Sequence, residues 1–322
     1  MKLQNKDESL SSALLRWSID FNENLTLDRK DEKTIENYMN VVNKFIEYVN
    51  INKFIDDSSF DAIDVKMIKR YFMWRDNEYL NKTGKELKAS TKLNDKKILN
   101  IFFEYIEDEN IDKYEFHLKW KKIKYKKESI EKDYFKPDLV HSFLDYLENN
   151  LKKERNEFAY MLSFTFKLAL YGGLRASELC DLQLKYFGKP YIAKDSGTKL
   201  IPLTIKGKGK TLYTNPIPYE YIKNELNYFK RNKSLEEKLF LTKTKLPLKR
   251  TNLYGYFEKI SNELNLGKKG IHIIRRTFAS NLSEMGVDVR NIQLLMRHKD
   301  IKTTIIYTAR SQSRMEEAVS KL

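Results

Sequence analysis

The chain of 322 residues carries 60 Lys+Arg against 45 Asp+Glu, a net charge of +15, and 41% hydrophobic residues. That length suits two domains with a core each, and the charge makes a polyanionic partner, nucleic acid first, a candidate, with Lys-rich solvated faces as an equal alternative on charge alone. A single cysteine, Cys180, excludes an intramolecular disulfide and any zinc site with two cysteine ligands. No apolar run approaches the roughly 18 to 20 residues of a membrane span, and the start MKLQNKDESLSS has no signal-peptide apolar region, so a soluble, cytoplasmic protein without a membrane partner is expected.

Up to Asp31 the chain shows one short apolar cluster, Leu14, Leu15, Ile19 and Phe21. Thr34 then reads as an N-cap, because Ile35, Tyr38, Val42, Phe45 and Val49 follow at spacings of three and four. A second helix is expected after Asp64, with Val65, Ile68, Tyr71 and Phe72 on its buried face. A third is expected after Ser90, with Leu93, Ile98, Ile101, Phe102, Tyr105 and Ile106. With no strand pattern, residues 1–112 read as an all-α bundle.

Two lysine-rich stretches mark this part. Lys82, Lys85, Lys88, Lys92, Lys96 and Lys97 enter the third helix, and KWKKIKYKK, with Lys121, Lys122 and Lys124, follows it. The second stretch has little apolar period, and Pro137 beyond it suits the first turn of a new helix, so residues 113–135 read as a basic interdomain linker. Lys88, Lys92, Lys96, Lys121, Lys122 and Lys124 are the candidate contacts to a phosphate backbone, with Trp120 and Tyr125 adding aromatic surface; a solvated face is the plain alternative.

From Pro137 the helical pattern resumes: Val140, Phe143, Leu144, Leu147 and Leu151, then Phe158, Met161, Leu162, Thr165, Leu168 and Ala169, ending at Gly172-Gly173. Leu174-Arg175-Ala176-Ser177-Glu178-Leu179 starts another helix. A small antiparallel sheet is expected from residues 186–193, 199–205 and 211–214, with Gly207-Lys208-Gly209 at a turn, and helices return over 219–231 and 251–264. Residues 1–127 hold 25 basic and 23 acidic residues, whereas residues 128–322 hold 35 and 22, so the positive field belongs to the second half. The fold class is therefore mainly α with a small antiparallel sheet, α+β in the second domain.

Residues 270–310 concentrate the chemistry. They hold two of the four histidines, His272 and His298, with Arg275, Arg276 and Arg297 beside them and Tyr307 near the end. Phe278, Leu282 and Met285, then Val289, Ile292 and Leu295 after Gly286, predict two packed helices. A phenol beside clustered cationic donors is what covalent attack on a phosphodiester requires. Taken singly, each residue has a plainer reading: Arg175 as a helix-start residue, Lys208 as a hairpin tip, His272 as a cap, Tyr307 as one of 20 tyrosines, and residues 281–298 as a DNA-binding helix-turn-helix.

In chain order, GLRASEL, GKG on a hairpin, His272-Ile273-Ile274-Arg275, His298 and Tyr307 resemble the tyrosine recombinase (phage integrase) family. The 26-residue interval from His272 to His298, together with RRTFASNL, IQLLMRH and KTTIIYT, is similar to its Xer-type members. The resemblance implies a helical, SAM-like N-terminal DNA-clamping domain and a catalytic domain over 136–310. Its partners would be double-stranded DNA at a recombination site, a homo-tetramer on two sites, and a translocase or other accessory activator. No cofactor or metal is implied. Tyr307 would form a 3′-phosphotyrosyl link, Arg175 and Arg275 would bind the phosphate oxygens, and Lys208 would act as general acid. His272 would serve as general base, His298 as a phosphate donor and Glu178 as an orienting group. Apart from the resemblance, Arg276 and Arg297, cations beside the histidines, are further candidate DNA contacts. Residues 311–322 would form a tail helix that docks in a neighbouring protomer.

Three readings stay open: a recombinase for chromosome dimer resolution or for a mobile element, a type IB topoisomerase-like enzyme, and a non-catalytic DNA-binding regulator. Arg297 departs from the family pattern, which has glycine before the second histidine, and Lys208 is preferred to Lys206 or Lys210 by its GKG context alone.

Overall fold

The computed structural model describes residues 8–52, 56, 60, 63–109, 114, 118–125, 133–207, 211–267 and 270–305. The chain divides into two units, residues 1–130 and 131–322.

Four helices build the first unit among its described residues: α1 (Leu10–Leu27), α2 (Glu32–Ile51), α3 (Val65–Thr83) and α4 (Ala89–Glu109). In α1 the buried positions are Leu10, Leu14, Trp17, Phe21 and Leu25, one face of a helix, whereas Leu15 and Ile19 are exposed. The expected cluster thus mixed two faces, because the stripe begins at Leu10, in polar company. The α2 cap is Asp31 rather than Thr34. Its carboxylate accepts from the Thr34 backbone N–H at 3.2 Å and from the Thr34 hydroxyl at 2.9 Å, which puts Thr34 inside the first turn. Helix α3 begins after Asp64 as expected, capped by that residue, whose carboxylate accepts from the Met67 N–H at 2.7 Å, and Gly84 at φ 67° ends it. Trp17, Phe21, Phe45, Tyr71, Phe102 and Phe103 form an aromatic core.

Within the expected linker, residues 118–125 pack on the core of the first unit and Phe135 on that of the second, each by itself. Ile123 is 3% exposed within the first core, with Tyr114, Leu118, Trp120 and Tyr125 against it, and Trp120–Lys122 form a 3-10 turn. Phe135 is buried in the second core, its N–H donating to the Thr277 hydroxyl at 2.9 Å. The apolar residues between the lysines, too sparse to set a helical period, supply this packing.

The second unit is organised on α6 (Glu157–Gly172), which is buried on nearly every side and packs against α5 (Pro137–Glu154), α8 (Tyr219–Asn232), α10 (His272–Glu284) and β3 (Leu212–Pro218). Such a helix is apolar all round because it has no solvent face. Its one buried cation, Lys167, meets Glu225 of α8 at 2.9 Å, and Ser163 donates to the same carboxylate at 2.6 Å. After α7 (Ala176–Cys180) comes an antiparallel sheet in the order β1 (Tyr191–Ile192), β2 (Lys199–Lys206), β3, with Thr204 opposite Thr214. Ile201, Leu203 and Ile205 alternate inward.

The expected first strand over 186–193 shrinks to Tyr191–Ile192, because Leu184–Tyr186 is a 3-10 turn and Phe187 makes an isolated bridge to Leu203. Strand β3 runs past Pro216 to end at Pro218, two prolines that an edge strand tolerates. Then α9 (Arg250–Glu263), α10, α11 (Val289–Met296) and α12 (Lys302–Ile305) complete the described chain. Residues 311–322, and with them the expected docking tail, lie outside the described residues. Of the described helices, none is long and apolar enough to cross a membrane.

Candidate active site

Four chain segments meet at the C-terminal end of α6. The helix stops because Gly173 adopts φ 59°, in the left-handed region where glycine alone is unstrained. Glycine is also needed for space. A Cβ on Gly172 would collide with the Ile217 side chain of β3, and one on Gly173 with the Phe278 ring of α10. The two glycines therefore let a sheet strand and a second helix close on the α6 terminus, and its last carbonyls become acceptors for the site.

Glu178 sits at the centre with its side chain 4% exposed. Its position in the first turn of α7 brings the carboxylate back to the helix start, where Oε2 accepts from the Arg175 backbone N–H at 2.7 Å and Oε1 from Arg175 Nη1 at 2.7 Å. Arg297, at the C-terminal end of α11, reaches the same carboxylate with both sides of its fork, Nε to Oε1 at 3.2 Å and Nη2 to Oε2 at 2.6 Å. The Arg275 guanidinium lies 3.8 Å from Oε2. Burial alone drives the Glu178 carboxyl upward, but the Arg297 hydrogen bonds and charge, the Arg175 N–H and the Arg275 charge outweigh it, and its pKa falls below the usual carboxylate value. The group stays ionised at neutral pH.

Backbone carbonyls hold the arginines as firmly as the carboxylate does. Arg275 donates to the carbonyls of Gly173 and Met296, and Arg175 Nη2 donates to Met296 O at 3.2 Å and to Arg297 O at 2.8 Å. Sharing the Met296 carbonyl brings the terminal nitrogens of Arg175 and Arg275 side by side, although 100 positions separate them in sequence. Arg175 remains 34% exposed while Arg275 is 7% exposed.

The histidines flank this cluster. His272 opens α10, open to solvent on one side while its ring is partly shielded by the protein and lies edge-on to Tyr254 at 5.9 Å. Desolvation, then the charges of Arg276, Arg275, Arg175 and Arg250, push its pKa below the ordinary histidine value, so the imidazole is neutral at pH 7. His298 Nδ1 is 2.9 Å from the Thr304 hydroxyl, which fixes the ring.

The structure thus brings together Arg175, Glu178, Arg275 and Arg297, with His272 and His298 alongside. Lys208 and Tyr307 lie outside the described residues; β2 and β3 lead to the Lys208 hairpin, with Gly207 N donating to Thr211 O at 2.7 Å, and α12 ends two residues before Tyr307. Arg276 is half-buried on α10.

Arg297 is not a surface cation. Its side chain is 0% exposed, because the left-handed backbone at φ 53° turns it back into the protein. In the first unit Lys88, Lys121, Lys122 and Lys124 are exposed, whereas Lys92 pairs with Asp76 beneath the Tyr125 ring and Lys96 donates to Ile123 O at 2.7 Å. Those two lysines hold the 118–125 segment down.

Sequence reasoning missed Asn215 and Thr304. Asn215, 3% exposed on β3, donates to Gly172 O at 3.3 Å and Leu295 O at 2.8 Å, tying the ends of α6 and α11 together. A lone amide in a short polar strand carries no motif. The Thr304 role was hidden because KTT reads as solvent-facing.

Comparison with known proteins matches residues 133–314 to the phage integrase family and residues 18–113 to the phage integrase N-terminal SAM-like domain. The tyrosine recombinase XerC of Pediococcus pentosaceus is 26% identical over 324 residues, 94% of this chain and 95% of that protein. Tyrosine recombinase XerA of Pyrococcus furiosus is 32% identical over 161 residues, 48% of this chain and about half of that protein, 52%. Among solved structures, XerH site-specific recombinase bound to a palindromic difH substrate, a post-cleavage complex, shares the fold with a TM-score of 0.75 at 21% identity, over 99% of this chain and 98% of that one. The chain belongs to the phage integrase family: it is a tyrosine recombinase of the Xer type, an enzyme of site-specific DNA recombination.

Proposed function

We propose that the cluster around Glu178 binds a scissile DNA phosphate and that Tyr307 attacks it. The observation that carries this reading is the pairing of Arg175 and Arg275 over one carbonyl, two planar donors with one partly exposed, which suits two non-bridging oxygens. In the cleavage step the Tyr307 oxygen bonds to phosphorus, its proton passes to His272, and the bond to the 5′-oxygen breaks as Lys208 supplies that oxygen with a proton. His298, fixed by Thr304, donates to a phosphate oxygen. A phenol pKa near ~10 leaves about one tyrosine in a thousand ionised at neutral pH, so a neutral imidazole acceptor and a doubly cationic phosphate site are what the step needs. The phosphotyrosyl ester keeps the free energy of the bond it replaced, and a 5′-hydroxyl of another strand reverses the attack and joins.

Four protomers on two sites, acting in the cytoplasm through a Holliday junction, would complete recombination; resolution of chromosome dimers, assisted by a DNA translocase, is the role that similarity to full-length XerC favours. The test is a suicide duplex nicked beside the scissile phosphate. Wild type forms a covalent adduct, Tyr307→Phe forms none and still binds the duplex; an adduct that survives the substitution overturns the nucleophile assignment. Junctions formed from two sites separate this reading from a topoisomerase-like enzyme, and bound but uncleaved DNA separates it from a regulator.

A further inference from the structure

Arg297 occupies a position where neither its charge nor its backbone is an obvious choice. It follows the last residue of α11 at φ 53°, a conformation that costs a non-glycine residue free energy, and it carries a full charge into a place with no solvent contact. Both costs are offset by what the side chain does there. Its fork is bidentate on Glu178, its Nη2 also donates to Gly173 O at 2.9 Å and its Nη1 to Leu295 O at 2.7 Å, while its own carbonyl accepts from Arg175 Nη2 at 2.8 Å.

We infer that Arg297 is a positioning residue that occupies and neutralises Glu178, so that Arg175 and Arg275 keep their positive charge and their geometry for a phosphate. The inference rests on the reading of these arginines as the phosphate site. The charge count carries it. Three guanidinium groups and one carboxylate within hydrogen-bond or ion-pair reach leave a surplus of two positive charges. Without Arg297 the surplus falls to one, and the Glu178 carboxylate, already 3.8 Å from Arg275 and 2.7 Å from Arg175, becomes a competitor for the donors that the phosphate needs. On the buried side, between Glu178 and Arg275, a competing anion at that range acts far more strongly than it would in water. Arg297 therefore acts through Glu178 and does not itself touch the DNA.

The experiment compares single-turnover cleavage of the suicide duplex at saturating enzyme for wild type, R297G, R297Q, R297K and R297G/E178Q, with duplex affinity and thermal melting measured alongside. R297G places the residue best suited to the backbone at that position; should it lose its thermal transition, R297Q takes its place in each comparison. Expected is a cleavage rate lowered about 10- to 100-fold in R297G, less than the ~10² to 10³ of a direct donor, with duplex affinity changed less than about threefold. R297K keeps the charge and loses the fork, and should fall between R297G and wild type. R297G/E178Q, which removes the carboxylate charge together with its partner, should cleave faster than R297G.

A purely structural role predicts no such recovery. Equal rates for R297G and R297G/E178Q, or an R297G rate equal to wild type, overturn the inference. If wild type itself forms no adduct, the cleavage reading fails separately; the order of the Arg175 side chain, read from ¹⁵Nε relaxation in wild type, R297G and R297G/E178Q, then decides whether Arg297 holds it.

Discussion

At Glu178 three cations compete for one buried carboxylate, and the consequences for folding and for catalysis differ. Removing the carboxylate alone, as in Glu178→Ala, strands the wholly buried Arg297 charge, and breaking a buried pair in that way costs about 3 to 5 kcal/mol. Denaturant unfolding at pH 7 measures the loss. The pH dependence has a definite sign: the folded-state pKa of Glu178 is depressed, so its contribution is present above the ordinary glutamate range and is lost as pH falls through the depressed value. His272 has the same direction of shift with a catalytic consequence. Because its pKa is held below 6.5, the free enzyme carries a neutral imidazole at neutral pH, and kcat/KM for adduct formation should fall on acidification with an inflection below that value. His272→Asn should lower the plateau and remove that limb. An unchanged acid limb in the variant assigns the titration to another group.

The residue types of this site were legible from the order of motifs, because Arg175, His272, Arg275 and His298 each sit in a recognisable local pattern. The partnership of Arg297 was not. A cation at a helix terminus ordinarily meets water and the carbonyl dipole, and only the left-handed backbone reverses its direction.

Among the elements, the glycine pair at 172–173 does more than end a helix. It sets the distance at which α10 and β3 approach α6, and so the distance between Arg275 and the carbonyls it donates to. Gly173→Ala combines a left-handed backbone, about 1 to 2 kcal/mol for a residue with a Cβ, with overpacking against Phe278, about 1 to 3 kcal/mol. The expected result is a melting temperature lowered by several degrees together with a cleavage defect, since the same carbonyl serves Arg275 and Arg297. A variant that melts like wild type would show that the α6 terminus relaxes.

The helix stop itself was readable from Gly-Gly, as were most helices of both units, since their apolar stripes have the right period. Caps and strands were less so. Asp31 outcompetes Thr34 because a carboxylate accepts from two donors at once, and β3 outruns its sequence signal because an edge position excuses Pro216 and Pro218.

For the whole molecule the relevant quantity is where the positive charge can meet a phosphate backbone. The second half of the chain carries 35 basic against 22 acidic residues, yet its most striking cations by sequence, Arg275 and Arg297, are buried and contribute little to non-specific attraction. In the first unit the lysines divide in the same way. Lys121, Lys122 and Lys124 are exposed on a segment whose Ile123 is anchored in the core, a fixed row of charges rather than a loose tether. Lys92 and Lys96 supply the anchor, through the Tyr125 ring and the Ile123 carbonyl, while Asp76 holds Lys92 from α3.

The two groups should therefore separate experimentally. Each lysine that neutralises a phosphate contributes about −0.9 to the slope of log K against log salt, so K121Q/K122Q/K124Q should flatten the slope of duplex binding by up to about 2.7 and leave thermal unfolding unchanged. K92Q/K96Q should instead lower the melting temperature of the first unit, because the partly buried Asp76 loses its partner and the 118–125 segment loses a tie to α4. Titration of each variant with the same duplex at several salt concentrations decides between them. An unchanged slope for the triple variant means that this row of lysines does not lie on DNA.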